Sequence, residues 1–273
     1  MKLGIAISSF PSKFGPIVLS GNDLSGNVAY ARSLGYQGLD LFINDKSNEE
    51  IEEIWKLLSD NKMEVAMFIV IFLAEQGVSL SDIDENRRRD AVRKYKKQIA
   101  VARSLYAKTM PIGFIRGNRC EGERENAYMQ RLAKSVSDLL DFASQQNVDL
   151  CLEPINRYEM NSFHRIDQAM EFIEKFDLGT LKILPDLFHM NIEEVSIEKA
   201  LETAGDRIGH VHVADSNRLA PGRGHVDYQK VLRILTRTGY DGYLSIEAFP
   251  VPSGHECAEQ GAAYLKSLLG GVR

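Results

Sequence analysis

The feature that most constrains this chain is a strict alternation between short apolar segments and longer segments of helical periodicity. Eight segments have the length and composition of buried strands, and they lie at Leu3–Ser8, Gly38–Ile43, Glu64–Ile71, Met110–Ile115, Asp149–Ile155, Leu181–Leu187, Gly209–Ala214 and Tyr243–Phe249. The helical patterns between and after them cover Asp23–Leu34, Ser47–Ser59, Arg87–Ala107, Glu125–Gln145, Arg165–Phe176, Ile197–Ala204, Tyr228–Thr238 and Glu256–Leu269. Strands that alternate with helices pair in parallel, because the helix carries the chain back to the start of the next strand.

The number of strand–helix units favours a closed α/β barrel over an open doubly wound sheet. Eight units of this kind take about 250 residues, and the chain has 273. The loop after the first strand also lacks the glycine fingerprint that binds a dinucleotide in open sheets. No linker or low-complexity stretch interrupts the pattern. We therefore predict a single (β/α)8 TIM barrel domain over residues 1–273.

The charge balance disfavours generic nucleic-acid binding. Lysine and arginine total 33 against 38 acidic residues, which gives a formal net charge of −5. Neutralising a phosphate backbone instead requires clustered cations. The basic run Arg87–Lys97 contains Ala91, Val92 and Tyr95 at core-facing spacing, so it predicts a solvated helix face rather than a nucleic-acid surface.

The chain also has no sequence mark of a membrane or secreted protein. Its longest apolar stretch, Val65–Ala74, has ten residues, whereas a bilayer needs about 20. Its N-terminus lacks the pattern of a secretory signal. Cys120, Cys151 and Cys257 are too few for a disulfide scaffold and are interpreted as reduced thiols. These features predict a cytoplasmic protein without a membrane partner.

Ionisable residues near the carboxyl ends of the last four predicted strands are the main functional signal. They are Glu153 in DLCLEPI, Asp186 in KILPDLF, His212 in GHVHVAD and Glu247 in YLSIEAF, spaced by 33, 26 and 35 residues. Each spacing is about one strand–helix unit, so all four side chains should reach the rim where barrel active sites lie.

Three carboxylates that converge on one rim repel each other unless a cation lies between them. Oxygen ligands with one imidazole favour Mn²⁺, Mg²⁺, Co²⁺ or Fe²⁺ over a structural zinc ion. The competing interpretation is four unrelated buried groups, each satisfied by backbone or basic partners. Glu159, His189 and Arg218 are predicted at the same rim, and His210 is predicted to be a hydrogen-bonded histidine deeper in the barrel.

The segments EPINRYE, PDLFHMNIEE, GHVHVADSNRLAPGRGH and LSIEAFP, in this order and spacing, resemble the xylose-isomerase-like sugar isomerases and epimerases. Among these they are most similar to the ketose 3-epimerases of the tagatose/psicose type. The resemblance is strongest from Asp149 onward. It implies one divalent ion, usually Mn²⁺, and a homodimer or homotetramer. Matched motif by motif, the resemblance implies that the metal ligands here are Glu153, Asp186, His212 and Glu247. It implies that Glu153 and Glu247 are also the acid/base pair, and that Glu159, His189 and Arg218 hold the oxygens of the substrate.

The resemblance implies a metal-dependent epimerase that inverts C3 of a ketose or a keto-sugar acid through a cis-enediolate. An aldose–ketose isomerase, including a hydroxypyruvate-type isomerase, is the nearest alternative, and a dehydratase of keto-polyols is a further one. An apurinic-site endonuclease would need more metal ligands and a cationic groove. A metal-binding barrel without activity is the non-enzyme alternative.

Arg116 suggests an acidic substrate. It lies at the end of the fourth predicted strand, beside Gly117, where the resembling enzymes that bind neutral sugars carry apolar residues. A guanidinium binds a carboxylate through two parallel hydrogen bonds. The sequence therefore predicts that Arg116 binds a keto-acid such as a keto-gluconate, unless it pairs with Glu121 or Glu123, and a substrate phosphate would satisfy it equally.

Overall fold

The computed structural model describes residues 1–11 and 15–270, and its eight parallel strands curl into a barrel surrounded by helices. The strands are β1 Lys2–Ser8, β2 Gly38–Phe42, β3 Glu64–Ile69, β4 Thr109–Ile112, β5 Asp149–Leu152, β6 Lys182–Ile183, β7 Val211–Val213 and β8 Tyr243–Ile246. The α-helices are α1 Leu24–Ser33, α2 Asn48–Asp60, α3 Ile71–Glu75, α4 Glu85–Ser104, α5 Glu125–Gln146, α6 Ile166–Lys175, α7 Leu187–Glu193, α8 Ile197–Ala204, α9 Tyr228–Arg237 and α10 Gly254–Leu269. The predicted barrel is confirmed.

Strand pairing runs in the order β6-β5-β4-β3-β2-β1-β8-β7, with every pair parallel. Two isolated bridges, Ile183 with Ile208 and Asp186 with His212, join the remaining edges beside β6 and β7. Strand residues are buried on both faces, and β2 and β8 are buried throughout. The bridge between Asp186 and His212 places two of the predicted metal ligands on neighbouring backbones at the carboxyl-terminal rim.

Three of the predicted strands extend into helical segments, because the chain turns helical within a few residues of the ends of β3, β4 and β6. Ile71 begins α3, Phe114–Arg116 forms a single 3₁₀ turn, and Leu187 begins α7. The first two of these stretches are almost continuously apolar, and an apolar run without alternation does not distinguish a buried strand from a buried helix. The third contains Asp186, which is the N-cap of α7. The three short helical segments lie on the rim and supply much of the wall of the cleft described below.

The outer helices largely follow their predicted pattern, with one exception in α2. The sequence of α2 predicts a capping box formed by Ser47 and Glu50, and a buried face formed by Ile51, Ile54, Trp55 and Leu58. Its predicted capping box is present: Ser47 accepts from the backbone of Glu50, and Glu50 accepts from that of Ser47. Ile51, Ile54 and Leu58 are buried as predicted. The predicted burial of Trp55 was wrong: 44% of it is exposed, because it leans toward the exposed Tyr106 instead of the barrel, with 6.4 Å between ring centroids.

The basic run on α4 is a solvated helix face, as predicted. Ala91, Val92 and Tyr95 are buried against the barrel. Cations beside them pair with acidic groups, as in the 2.5 Å contact between Lys96 and Asp138. Among the described residues, no helix is long and apolar enough to cross a bilayer.

Candidate metal centre and substrate cleft

Four consecutive strands deliver the four predicted ligands to one point on the carboxyl-terminal rim. Glu153 directly follows β5, His212 lies within β7, and Glu247 directly follows β8. Asp186 comes three residues after β6 and is bridged to His212. Each side chain offers one ligand atom, and these four atoms lie within 4.8 Å of one another. The side chains that the sequence predicts to converge are therefore brought together.

His212 lies at the middle of this cluster. Its Nδ1 atom is 3.6 Å from Glu153 Oε1, 3.9 Å from Asp186 Oδ2 and 3.5 Å from Glu247 Oε2. All four residues are at most 7% exposed. Three carboxylates and an imidazole therefore share a space from which water is largely excluded.

The two carboxylate oxygens of Asp186 have different roles, one in capping a helix and one in the ligand cluster. It is the N-cap of α7, and its Oδ1 accepts hydrogen bonds from the backbone N–H of Phe188 at 2.8 Å and of His189 at 3.4 Å. Its Oδ2 is buried and has no hydrogen-bond partner among the described residues. Helix capping thus fixes the carboxylate so that the second oxygen faces the cluster.

The electrostatics of the cluster fit a divalent cation. Burial raises the pKa of Glu247 to about 7. Burial opposes a charged His212, but the carboxylates around it, led by Glu247, raise its pKa well above the usual value. The Nδ1 of His212, like the Oδ2 of Asp186, is buried without a hydrogen-bond partner in the described chain. Both atoms can bind a metal and lack a hydrogen bond amid concentrated negative charge, so a divalent ion would satisfy them.

Arg218 closes one side of the cluster. Its guanidinium donates to Glu247 Oε2 at 2.5 Å, lies 3.2 Å from Asp186 Oδ2 and stacks over Phe188 at 4.6 Å from the ring centroid. It sits in the polar loop after β7 with a φ of 61°. The loop is held by Asp215, whose carboxylate accepts from the backbone N–H of Ser216, Gly222 and Val226. These hydrogen bonds fix the turn and explain how a polar loop, typical of a protein surface, places Arg218 in a buried position.

His189 and Glu159 lie beside the cluster and are linked by a residue that the sequence reasoning missed. The side-chain amide of Asn156 contacts His189 Nδ1 at 2.8 Å and donates to Glu159 Oε1 at 2.7 Å. His189 is buried, whereas Glu159 is exposed at the edge of the site. The segment EPIN placed Asn156 three residues after Glu153, and that proximity is the signal that could have identified it.

The cluster forms the floor of an open cleft at the carboxyl-terminal rim. Its polar lining comes from Glu153, His189, His212, Arg218 and Glu247. The remaining lining residues are mostly apolar, and they are Phe42, Ile69, Val70, Ile71, Ala74, Tyr95, Pro111, Gly113, Phe114 and Ile115. Gly113 has a specific role, because a Cβ atom there would lie 2.7 Å from Glu153 Oε2. The cleft thus combines a charged floor with apolar walls.

The structure does not bring Arg116 to this cleft. Its side chain is fully buried and lies behind the wall, where Nη1 donates to the carbonyls of Gly113 and Glu153 and Nη2 to those of Ser162 and Phe163. Nε donates to Ser162 Oγ at 3.4 Å. All five N–H groups of the guanidinium are therefore used. Neither the predicted substrate carboxylate nor the alternative partners Glu121 and Glu123 is needed to satisfy Arg116.

This placement predicts a structural effect of Arg116. Arg116→Met keeps much of the apolar stem but leaves the carbonyls of Glu153 and Ser162 without their donor, whereas those of Gly113 and Phe163 keep backbone N–H donors. We expect the free energy of unfolding in urea to fall by roughly 2 kcal/mol or more, since each unsatisfied buried carbonyl costs about 1–3 kcal/mol. Arg233→Met on the exposed face of α9 is the matched control and should change stability by less than about 0.5 kcal/mol. Equal stability of the two variants would contradict the buried network.

Comparison with known proteins agrees with this geometry. A family model described as a xylose isomerase-like TIM barrel matches residues 28–268. The chain belongs to the xylose isomerase-like TIM barrel family. The D-psicose 3-epimerase of Ruminiclostridium cellulolyticum is 32% identical over 182 residues, which are 64% of this chain and 60% of that protein. The 3-dehydro-D-guloside 4-epimerase of Escherichia coli is 36% identical over 118 residues, 42% of this chain and 45% of that protein.

The fold of the whole chain is also that of solved family structures. An L-ribulose 3-epimerase superposes with a TM-score of 0.86 at 23% identity, covering 99% of this chain and 95% of that chain. The sequence matches, in contrast, span only about half the length of the two relatives named above. The family and its barrel are therefore shown, and the activities of these relatives inform only the proposal that follows.

Proposed function

We propose that this protein is a metal-dependent epimerase that inverts C3 of a ketose. The observation that supports this most is the convergence of Glu153 and Glu247 with Asp186 and His212 on one buried cluster. The two glutamates stand on β5 and β8, which are three strands apart around the barrel, so they approach the cluster from different directions. An epimerase needs such a pair, because a proton must leave one face of the carbon and another must arrive on the opposite face.

In the proposed reaction, Glu153 and Glu247 act as base and acid. One carboxylate takes the proton from C3, and the other carboxyl returns a proton to the opposite face of the planar enediolate. Which glutamate takes and which gives depends on the configuration of the starting sugar. Glu153, Asp186, His212 and Glu247 would hold a divalent ion, whose Lewis acidity would polarise the ketone and acidify the neighbouring C–H.

The residues beside the pair orient it and the substrate. Arg218 holds the Glu247 carboxylate through its 2.5 Å hydrogen bond and presents a guanidinium to the cleft. His189, whose Nδ1 is fixed by Asn156, directs Nε2 toward Arg218 at 3.3 Å. We propose that both side chains donate to substrate hydroxyls, and that Glu159 binds the end of a longer ketose.

We further propose a neutral ketose rather than a keto-acid. The keto-acid prediction rested on Arg116, and the structure commits that guanidinium to backbone carbonyls outside the cleft. Arg218 is the only Arg or Lys side chain that lines the described part of the cleft, and it already faces Asp186 and Glu247. A substrate carboxylate or phosphate would therefore find no uncommitted arginine or lysine among the described lining residues. For the ion we propose Mn²⁺, because oxygen ligands with one imidazole suit it.

The test is a panel of free ketoses incubated with the Mn²⁺-loaded protein, with products identified by chromatography and NMR. We expect conversion of at least one neutral ketose to its C3 epimer, with a higher kcat/KM than the corresponding keto-acid or phosphate. Conversion to an aldose would establish the isomerase alternative. Inversion at C4 of a 3-keto sugar would place the protein with its Escherichia coli relative and require the same pair of glutamates on a shifted substrate. A keto-acid as the best substrate would contradict the proposed neutral class.

A further inference from the structure

Beneath the cluster of candidate metal ligands lies a buried aspartate that the proposed reaction does not use. Asp40 is in β2, is fully buried and points into the barrel. Its Oδ1 accepts a hydrogen bond from Ser245 Oγ at 2.9 Å, and its Oδ2 contacts His210 Nε2 at 3.0 Å. The contact with Asp40 confirms His210 as the predicted hydrogen-bonded histidine of the barrel interior.

The same oxygen of Asp40 also lies 3.1 Å from Nε2 of His212. That distance suits a hydrogen bond, although the ring orientation leaves Nε2 off the donor direction in this structure. His212 therefore has a carboxylate on each side: the ligand cluster faces Nδ1, and Asp40 faces Nε2.

The two faces of His212 have different chemical requirements. A neutral imidazole has one N–H and one lone pair, and a metal ligand must present the lone pair. With Nδ1 toward the ligand cluster, the proton has to lie on Nε2, where an acceptor must receive it. Asp40 is the acceptor within reach of that atom.

We propose that Asp40 is a positioning residue that holds His212 as the Nε2–H tautomer, with Nδ1 aimed at the metal. This inference rests on the proposed metal site but not on the identity of the reaction. A purely structural Asp40 would need only Ser245 and His210 as partners. A positioning Asp40 must in addition change how His212 binds the ion.

The first test is the affinity of the purified protein for Mn²⁺, measured by calorimetry after a chelator has removed its bound metal. Asp40→Asn preserves the shape of the side chain but removes the charge, and we expect the affinity to fall about 10–100-fold. Ser245→Ala removes the hydrogen bond to the other carboxylate oxygen and serves as the matched control. It should keep the parent's affinity, because Oδ2 and its histidine contacts remain.

The second test reads the tautomer directly and does not depend on a variant. ¹⁵N NMR of the parent loaded with diamagnetic Zn²⁺ should show His212 protonated at Nε2 and metal-bound at Nδ1. Protonation at Nδ1 would overturn the proposal. Because this experiment uses the parent protein, its result stands even where Asp40→Asn does not fold. Equal Mn²⁺ affinity of folded Asp40→Asn and the parent would overturn it as well. Tight metal binding without any epimerase activity would contradict the proposed function and leave the role of Asp40 intact.

Discussion

Replacing either Glu153 or Glu247 with glutamine is expected to reduce kcat for C3 epimerisation by about 10²–10⁴-fold. Both carboxylates are buried at the cluster, within 3.6 Å of His212 Nδ1. A glutamine amide neither accepts nor returns a proton near neutral pH, so it cannot replace a carboxylate as base or acid. Each substitution also weakens a metal ligand, so kcat should be measured at saturating Mn²⁺ to separate the two effects.

Glu64→Gln is the matched control for these two variants. Glu64 begins β3 at the opposite end of the barrel, where it pairs with Lys2 and accepts from the hydroxyl of Tyr243. The control should retain the kcat of the parent. If Glu153→Gln or Glu247→Gln kept more than about a tenth of that kcat, the residue would not be an essential acid or base.

Removal of divalent ions should abolish turnover, and addition of Mn²⁺ should restore it. Without a cation, three buried carboxylates lie within 4.8 Å of each other and of His212, an arrangement that is electrostatically unfavourable. Binding should therefore also stabilise the fold. At 100 times the dissociation constant the gain is about 2.7 kcal/mol. For a chain of this size that gain corresponds to a rise in Tm of roughly 5–10 °C.

The rise in Tm has an internal control. His212→Ala and Asp186→Asn remove ligands from the cluster, so both should show a much smaller rise with Mn²⁺ than the parent does. The chelated parent should have a lower Tm than the refilled parent. Full activity in a preparation whose metal content is far below one ion per chain would contradict a metal-dependent reaction.

The barrel and the meeting of its four charged residues were predictable from the sequence. Parallel strands end at one rim, so residues at equivalent strand ends must converge once the register is set. Glu153, His212 and Glu247 are of this kind. Asp186 converges too, although the predicted strand Leu181–Leu187 is only two residues long in the structure, because its backbone bridges to His212 and caps α7.

Arg116 shows where such reasoning fails. The sequence correctly predicts that Arg116 follows β4, but it does not predict the direction in which the side chain points. The 3₁₀ turn Phe114–Arg116 turns the guanidinium away from the cleft, toward the carbonyls of the next loop. Those carbonyls belong to Ser162 and Phe163, more than 40 residues away in the chain, and no local pattern indicates them. Asp40 was missed for a similar reason, since its partners His210 and Ser245 are about 170 and 205 residues away in the chain.

The most direct test of the proposed chemistry is the position of solvent hydrogen in the product. The Mn²⁺-loaded protein is incubated with its best ketose in deuterated water, and recovered substrate and product are analysed by NMR. Two-base epimerisation predicts deuterium at C3 of the product epimer, and none at C1. Glu153→Gln and Glu247→Gln should both slow its appearance. Deuterium only at C1 or C2 would contradict C3 epimerisation and establish an aldose–ketose isomerase.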